Sequence, residues 1–227
     1  MKKLILSTII SCFCLIAFGQ SAEDIAIQLV SANPQSKQFD QLVVVFNQKS
    51  SDASATLVGL EKKKGKWLVQ FKAIKASVGR NGIAKKDAKV EGDGKSPNGI
   101  FELGRLFGYE ELAPTSINYT QTTSEDKWID DSNAPDYNTY VRGNTNAKSF
   151  EHLKLNSIDY KYCMVIEYNT KPVVKGKGSA IFFHLADEKY TPTSGCVAIA
   201  ENDMLNYLQW LMPNKKRAIL LTSLNNL

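Results

Sequence analysis

Leu42-Val43-Val44-Val45-Phe46 is an unbroken apolar run dominated by β-branched residues, which predicts a strand buried on both faces. Two further strands are predicted over 55–61 and 67–74, joined by the lysine- and glycine-rich turn 62–66. Met164-Val165-Ile166-Glu167-Tyr168, Ala180-Ile181-Phe182-Phe183 and 218–222 also read as strands. Helical periodicity is clearest over 202–211, where Met204, Leu205, Leu208 and Leu211 recur and Pro213 closes the segment. A shorter amphipathic helix is predicted over 22–33, stopped by Asn33-Pro34. The pattern describes a mainly β domain with one or two short helices packed against it. The stretch from about Leu112 to Phe150 is polar throughout and long for a connection in a compact domain. It reads as a lid or insertion beside a binding cleft, or equally as a solvated excursion.

The first residues carry a different signal. Lys2 and Lys3 precede the apolar run Leu4 to Phe18, and Ala17-Phe18-Gly19 supplies small residues before Gln20, the layout of a secretory signal peptide over residues 1–19. The run is short for a membrane span. An uncleaved anchor, or a lipoprotein modified at Cys12 in Ile9-Ile10-Ser11-Cys12, are the alternatives. Residues 20–227 contain no Pro- or Gly/Ser-rich linker and are expected to form one domain. The net charge of +5 falls to +3 without Lys2 and Lys3. Lysines are interleaved with acids, which argues against nucleic acid as a partner.

Without the signal segment two cysteines remain, Cys163 and Cys196. In an exported protein they can pair as a disulfide, or one can be reactive while the other is buried and inert. Around Cys196 the chain reads Ile181-Phe182-Phe183-His184, then Pro192-Thr193-Ser194-Gly195-Cys196-Val197. A strand is expected to deliver His184 to a loop, with the thiol held on a glycine turn. The backbone N–H of Cys196 and those of its neighbours in the turn (Thr193, Ser194, Gly195) can bind a developing oxyanion, and an imidazole can take the thiol proton. With His152 and His184 as the chain's two histidines, no metal site is expected, and no cofactor is required. Gly94-Lys95-Ser96 superficially suggests a phosphate loop, but Lys89 stands where that motif needs glycine, and Pro97 denies the following helix. Asp130-Asp131, adjacent and in a polar loop, reads as turn chemistry rather than a hydrolytic pair.

These residues resemble the active-site motif of the YkuD-type L,D-transpeptidases, in which a His precedes a Ser/Thr-x-Gly-Cys turn. His184, Thr193, Gly195, Cys196 and Val197 occupy the matching positions, while Ala198 stands where many members carry Arg, as in a divergent branch with a Gly-Cys-Val-Ala turn. Val78 to Gly82, Glu91 to Phe101, Asp130-Asp131-Ser132, Tyr137-Asn138 and Gly176 to Phe182 are similar to the same branch, so the resemblance runs from about 75 to 222. It implies a β-sandwich of mixed sheets in a monomeric, exported cell-envelope enzyme acting on peptidoglycan stem peptides. Cys196, deprotonated by His184, would attack a tetrapeptide stem, expel D-alanine and leave a thioester. Attack by a neighbouring stem's amine would give a cross-link; attack by water would make the protein an L,D-carboxypeptidase. Arg80 or Lys95 would meet a substrate carboxylate. The rival is a non-catalytic wall-binding module with a Cys163–Cys196 disulfide.

Overall fold

The structure is a computed structural model and describes residues 19–226. The expected signal segment therefore lies outside the described residues, Gly19 apart. Helix α1 (Ala22–Ala32) opens the chain, with Ser21 as its N-cap accepting from the Asp24 N–H, a contact typically contributing about 1 kcal/mol. Strand β1 (Gln41–Asn47) follows and is buried at every position. The hairpin of β2 (Ser54–Lys63) and β3 (Lys66–Ser77) turns on Lys64 and Gly65, both at positive φ, which matches the primed turns that tight hairpins prefer. Then come β4 (Gly99–Gly108), β5 (Tyr119–Gln121), β6 (Asp126–Ile129), β7 (Tyr140–Arg142), β8 (Phe150–His152), β9 (Cys163–Ile166) and β10 (Phe182–Leu185). Strand β11 (Val197–Ile199), helix α2 (Glu201–Trp210) and β12 (Arg217–Ser223) complete the order.

The architecture is mainly β with mixed sheets and two packed helices, as the pattern predicts. Nine strands lie in the order β12-β1-β2-β3-β11-β10-β9-β4-β5, and β4 also pairs with β12. The sheet therefore closes on itself through β4, which leaves β1 with no solvated face. Val43 and Val45 point into the enclosed core with Phe183, Ile199, Ile219 and Leu221. Leu42, Val44 and Phe46 point outward and are covered by Ala26 and Val30 of α1. Met204, Leu208 and Leu211 carry α2 into the enclosed core.

A second outer face, on β9 and β10, is covered differently. A three-stranded sheet in the order β7-β6-β8 lies over it, and Trp128 of β6 meets Phe182 edge-on at 5.4 Å. The polar stretch 112–150 is thus not a structureless excursion: it holds β5, β6 and β7 and roofs part of the main sheet. Asp126 ties it together. Its carboxylate, fully buried, takes bonds from Arg142 Nε at 2.7 Å, from the Thr123 N–H at 2.7 Å and from the Tyr140 hydroxyl. Among the described residues no helix is long and apolar enough to cross a membrane.

Candidate active site

Strands β10 and β11 run parallel, with His184 opposite Ala198 and Phe183 opposite Val197. Continuing that register sets Cys196, just before β11, opposite Phe182. Side chains two residues apart share a face, so His184 and the Cys196 thiol are diagonal neighbours on the face roofed by β6–β8. The sequence placed His184 in a loop beyond its strand. It lies instead inside β10, where the strand fixes its direction. Nδ1 sits 2.8 Å from the Leu185 carbonyl. A carbonyl only accepts, so Nδ1 carries the hydrogen and Nε2 of the neutral ring keeps its lone pair. The Tyr160 ring packs edge-on against the imidazole at 5.5 Å. Burial lowers the His184 pKa, opposed by the Leu185 hydrogen bond and by Asp159.

The sulfur of Cys196 accepts from the Phe182 N–H at 3.3 Å and lies 3.4 Å from the Ala180 carbonyl. Burial pushes the thiol up, the Glu151 carboxylate adds to this, and the Phe182 N–H and Lys89 work against it. At neutral pH the resting sulfur is therefore protonated, and a neutral base must take its proton for it to react. Cys163 is fully buried, also raised, and a separate free thiol. The structure thus does not contain the Cys163–Cys196 disulfide.

The turn before Cys196 is built from its own hydroxyls. Thr193 Oγ1 donates to the Cys196 carbonyl at 2.7 Å and accepts the Gly195 N–H at 3.1 Å. Gly195 has φ +152°, and a Cβ there would come within 3.0 Å of the Lys95 carbonyl. The Thr193 N–H is spent on the Val78 carbonyl at 3.0 Å and the Gly195 N–H on Thr193 Oγ1, so neither is an oxyanion donor as expected; the N–H groups of Ser194 and Cys196 are the ones the turn has left for a ligand. Arg80 Nη1 donates to Ser194 Oγ at 2.9 Å, so the exposed Arg80 stands beside the turn. Lys95 is half-buried and contributes its carbonyl to the packing under Gly195.

The glycine-rich segment serves the same turn. A Cβ on Gly79 would fall 2.4 Å from the Gly94 carbonyl, so only glycine lets these two backbones touch. Ser96 is thereby brought beneath Cys196. No helix follows Gly94-Lys95-Ser96; strand β4 begins at Gly99. Ala198, 1% exposed, pairs with His184 of β10 on one side and Ser77 of β3 on the other. Asn138 accepts from Trp128 Nε1 at 2.8 Å and from the Ala180 N–H at 3.1 Å, binding the roof to the strand that carries the thiol's neighbours. Asp131 makes the expected turn, accepting the Asn133 N–H at 2.9 Å.

Three groups escaped the sequence reading. Lys89 is buried, bonded to Asp93 at 2.8 Å, and stands 3.7 Å from where a Cβ on Gly195 would lie. Glu151 and Tyr160 share a 2.5 Å hydrogen bond beside the thiol. A lone lysine or glutamate in a polar stretch carries no local mark of such a position. Among the described residues no three His, Cys, Asp or Glu side chains are grouped as metal ligands.

Residues 50–219 match the YkuD family, the L,D-transpeptidase catalytic domain, and the chain belongs to that family of peptidoglycan enzymes. No curated protein matches it. Among solved structures it is similar to the helical cell shape determining protein Pgp2 from Campylobacter jejuni, 18% identical, with 88% of this chain and 54% of that one covered and a TM-score of 0.42. The chain thus spans about half the length of that solved structure.

Proposed function

We propose that the protein is an L,D-transpeptidase that cross-links peptidoglycan stems through a thioester on Cys196, with His184 as its base. The observation that carries this reading is the diagonal pairing of His184 and Cys196 on one roofed face, with Nδ1 committed to the Leu185 carbonyl. Nε2 takes the thiol proton; the sulfur attacks the carbonyl of the third stem residue. The N–H groups of Cys196 and Ser194 hold the oxyanion, each such donor typically contributing about 3–4 kcal/mol. His184 returns the proton to the departing D-alanine amine. A neighbouring stem's amine then displaces the sulfur. Arg80, projecting next to Ser194, meets the donor's carboxylate. Family membership supports peptidoglycan as substrate and the cell envelope as the place of action.

The same site becomes an L,D-carboxypeptidase when water resolves the thioester. Incubating the protein with purified disaccharide-tetrapeptides, with intact mass of the protein and chromatography of the products, separates the readings. A Cys196 adduct with cross-linked dimers is the expected result, and tripeptides alone mark the carboxypeptidase. Absence of adduct and product, with Cys196→Ala behaving as wild type, overturns the proposal.

A further inference from the structure

Resting on the transpeptidase reading, an unassigned carboxyl group beside the thiol acquires a task. A stem amine arrives as an ammonium, and becoming an amide N–H costs it two protons. The thiolate released from the thioester, re-protonated by way of His184, accounts for one. The second needs another acceptor. Water as the attacking group loses a single proton in the attack; the product acid sheds the other to solvent only after the C–S bond has broken, so no second acceptor is needed in the site.

Glu151 stands where that acceptor belongs. In the pairing of β6 with β8 it lies directly opposite Trp128, so the two side chains share a face. Trp128 meets Phe182 edge-on at 5.4 Å, and the Phe182 N–H touches the Cys196 sulfur at 3.3 Å. Glu151 Oε2 accepts the Tyr160 hydroxyl at 2.5 Å, and the Tyr160 ring packs on both Phe182 at 5.6 Å and His184 at 5.5 Å. Both arms bring the carboxyl to the roofed face that holds Cys196 and His184. Nearby, Asp130 Oδ1 is buried without a hydrogen-bond partner among the described residues.

We propose that Glu151 receives the acceptor ammonium and removes its first proton, so that the site resolves the thioester with an amine in preference to water. The freed amine nitrogen forms the N–C bond and the C–S bond breaks onto sulfur. The second nitrogen proton passes through His184 to that sulfur, and Glu151 later gives its own to solvent. The environment suits the task. Burial raises Glu151 to about 7, helped by Asp130 and Glu91 and opposed by the Tyr160 hydrogen bond, so the group cycles near neutral pH. The titratable groups facing it are Tyr160, Asp130, Glu91, Cys163 and Cys196.

The experiment measures, for wild type and Glu151→Gln, thioester formation by intact mass and the partition of products between cross-linked dimer and tripeptide. Disaccharide-tetrapeptide serves as both donor and acceptor. Glutamine keeps an acceptor for Tyr160, so the variant is expected to form thioester within about threefold of wild type. Its dimer yield should fall on the order of 10²-fold, the usual scale for a lost proton-transfer group, with tripeptide taking the dimer's share. Equal loss of acylation and both products would make Glu151 merely structural and overturn the inference. So would an unchanged dimer-to-tripeptide ratio, or a wild type that forms thioester yet only tripeptide. If Glu151→Gln fails to fold, the wild-type ratio between pH 5.5 and 8.5 decides: it must rise through about 7, and a flat ratio refutes the assignment. Failure of wild type to form any thioester instead refutes the underlying transpeptidase reading.

Discussion

Ser96 Oγ donates to the carbonyl of Cys196 at 3.1 Å while accepting the Gly79 N–H at 2.9 Å, across a gap of 100 residues in sequence. One buried hydroxyl thus locks the glycine-rich segment, the Val78-Gly79 link after β3 and the cysteine turn into a single unit. Its removal strands the Gly79 N–H in a dry site, which typically costs about 1–3 kcal/mol. Ser96→Ala should lose that much in urea denaturation. It should also lower kcat more than it raises KM, because Thr193 Oγ1 still holds the carbonyl and only the aim of the turn is relaxed. A variant as stable and active as wild type would show the bond to be dispensable.

What could be read in advance followed from length and continuity of pattern. β1 declared itself because both of its faces are buried, and α2 because four apolar residues recur on one side. The Gly-Cys turn was visible because its chemistry is local. The roof over the thiol was not, since β6, β7 and β8 are three or four residues each and their polar members are satisfied across strands. Asp126 reads as a loop aspartate until Tyr140 and Arg142 arrive from 14 and 16 residues away. Glu151 was hidden for the same reason: its neighbours Tyr160 and Cys196 are set by tertiary packing alone.

The protonation of the two central groups predicts a pH limb. His184 is lowered from 6.5 by burial, so it is neutral at pH 7 and able to accept a proton. Thioester formation should hold steady from pH 7 down to about the ordinary histidine value and fall only below it. Stability follows the same sign: the unfolded chain protonates its histidine first, so the contribution is intact above the unfolded value and lost as pH falls through the folded one. Rapid-quench acylation rates between pH 4.5 and 8 check this. A fall beginning above pH 7 would contradict a lowered His184.

Thiol labelling should separate the two cysteines. Both are raised by burial, but Cys163 is fully enclosed while Cys196 keeps 7% of its surface exposed. Native protein at pH 7 should take up iodoacetamide slowly and at Cys196 alone, and Cys196→Ala should label only after denaturation. Peptide mapping decides the position, and label on native Cys163 would mean that the roof opens.

Asp126 holds that roof. Its carboxylate lies well below the ordinary aspartate range because Arg142, Tyr140 and Thr123 all bond to it, against the opposing effect of burial. A lowered acid contributes stability above its unfolded value of 3.8 and loses it as pH falls through the folded one. Asp126→Asn should therefore destabilise by about 2–3 kcal/mol at pH 7, at the low end for broken buried pairs because Arg142 is half exposed. The difference should vanish in strong acid. Melts at pH 7 and at steps from pH 4 downward check this: the difference should begin to shrink below 3.8 and keep shrinking as the acid strengthens.

Glu151 has the opposite sign, which gives the proposed proton acceptor a thermodynamic mark independent of activity. Its pKa is raised from 4.5 to about 7, so the protonated form is the one folding favours. The stabilisation is complete below pH 4.5 and disappears as pH rises through about 7. Above that, folding must bury a charge, at a cost of about 3 kcal/mol as an upper bound from the size of the shift. Glu151→Gln removes that cost and keeps the Tyr160 hydrogen bond. It should be more stable than wild type at pH 8.5 by about 1–3 kcal/mol and indistinguishable at pH 4.5, measured as paired urea midpoints. A residue kept at the expense of stability at working pH, when a neutral isostere fits its hydrogen bond, is one whose charge is used. Equal midpoints at both pH values would remove that argument for Glu151.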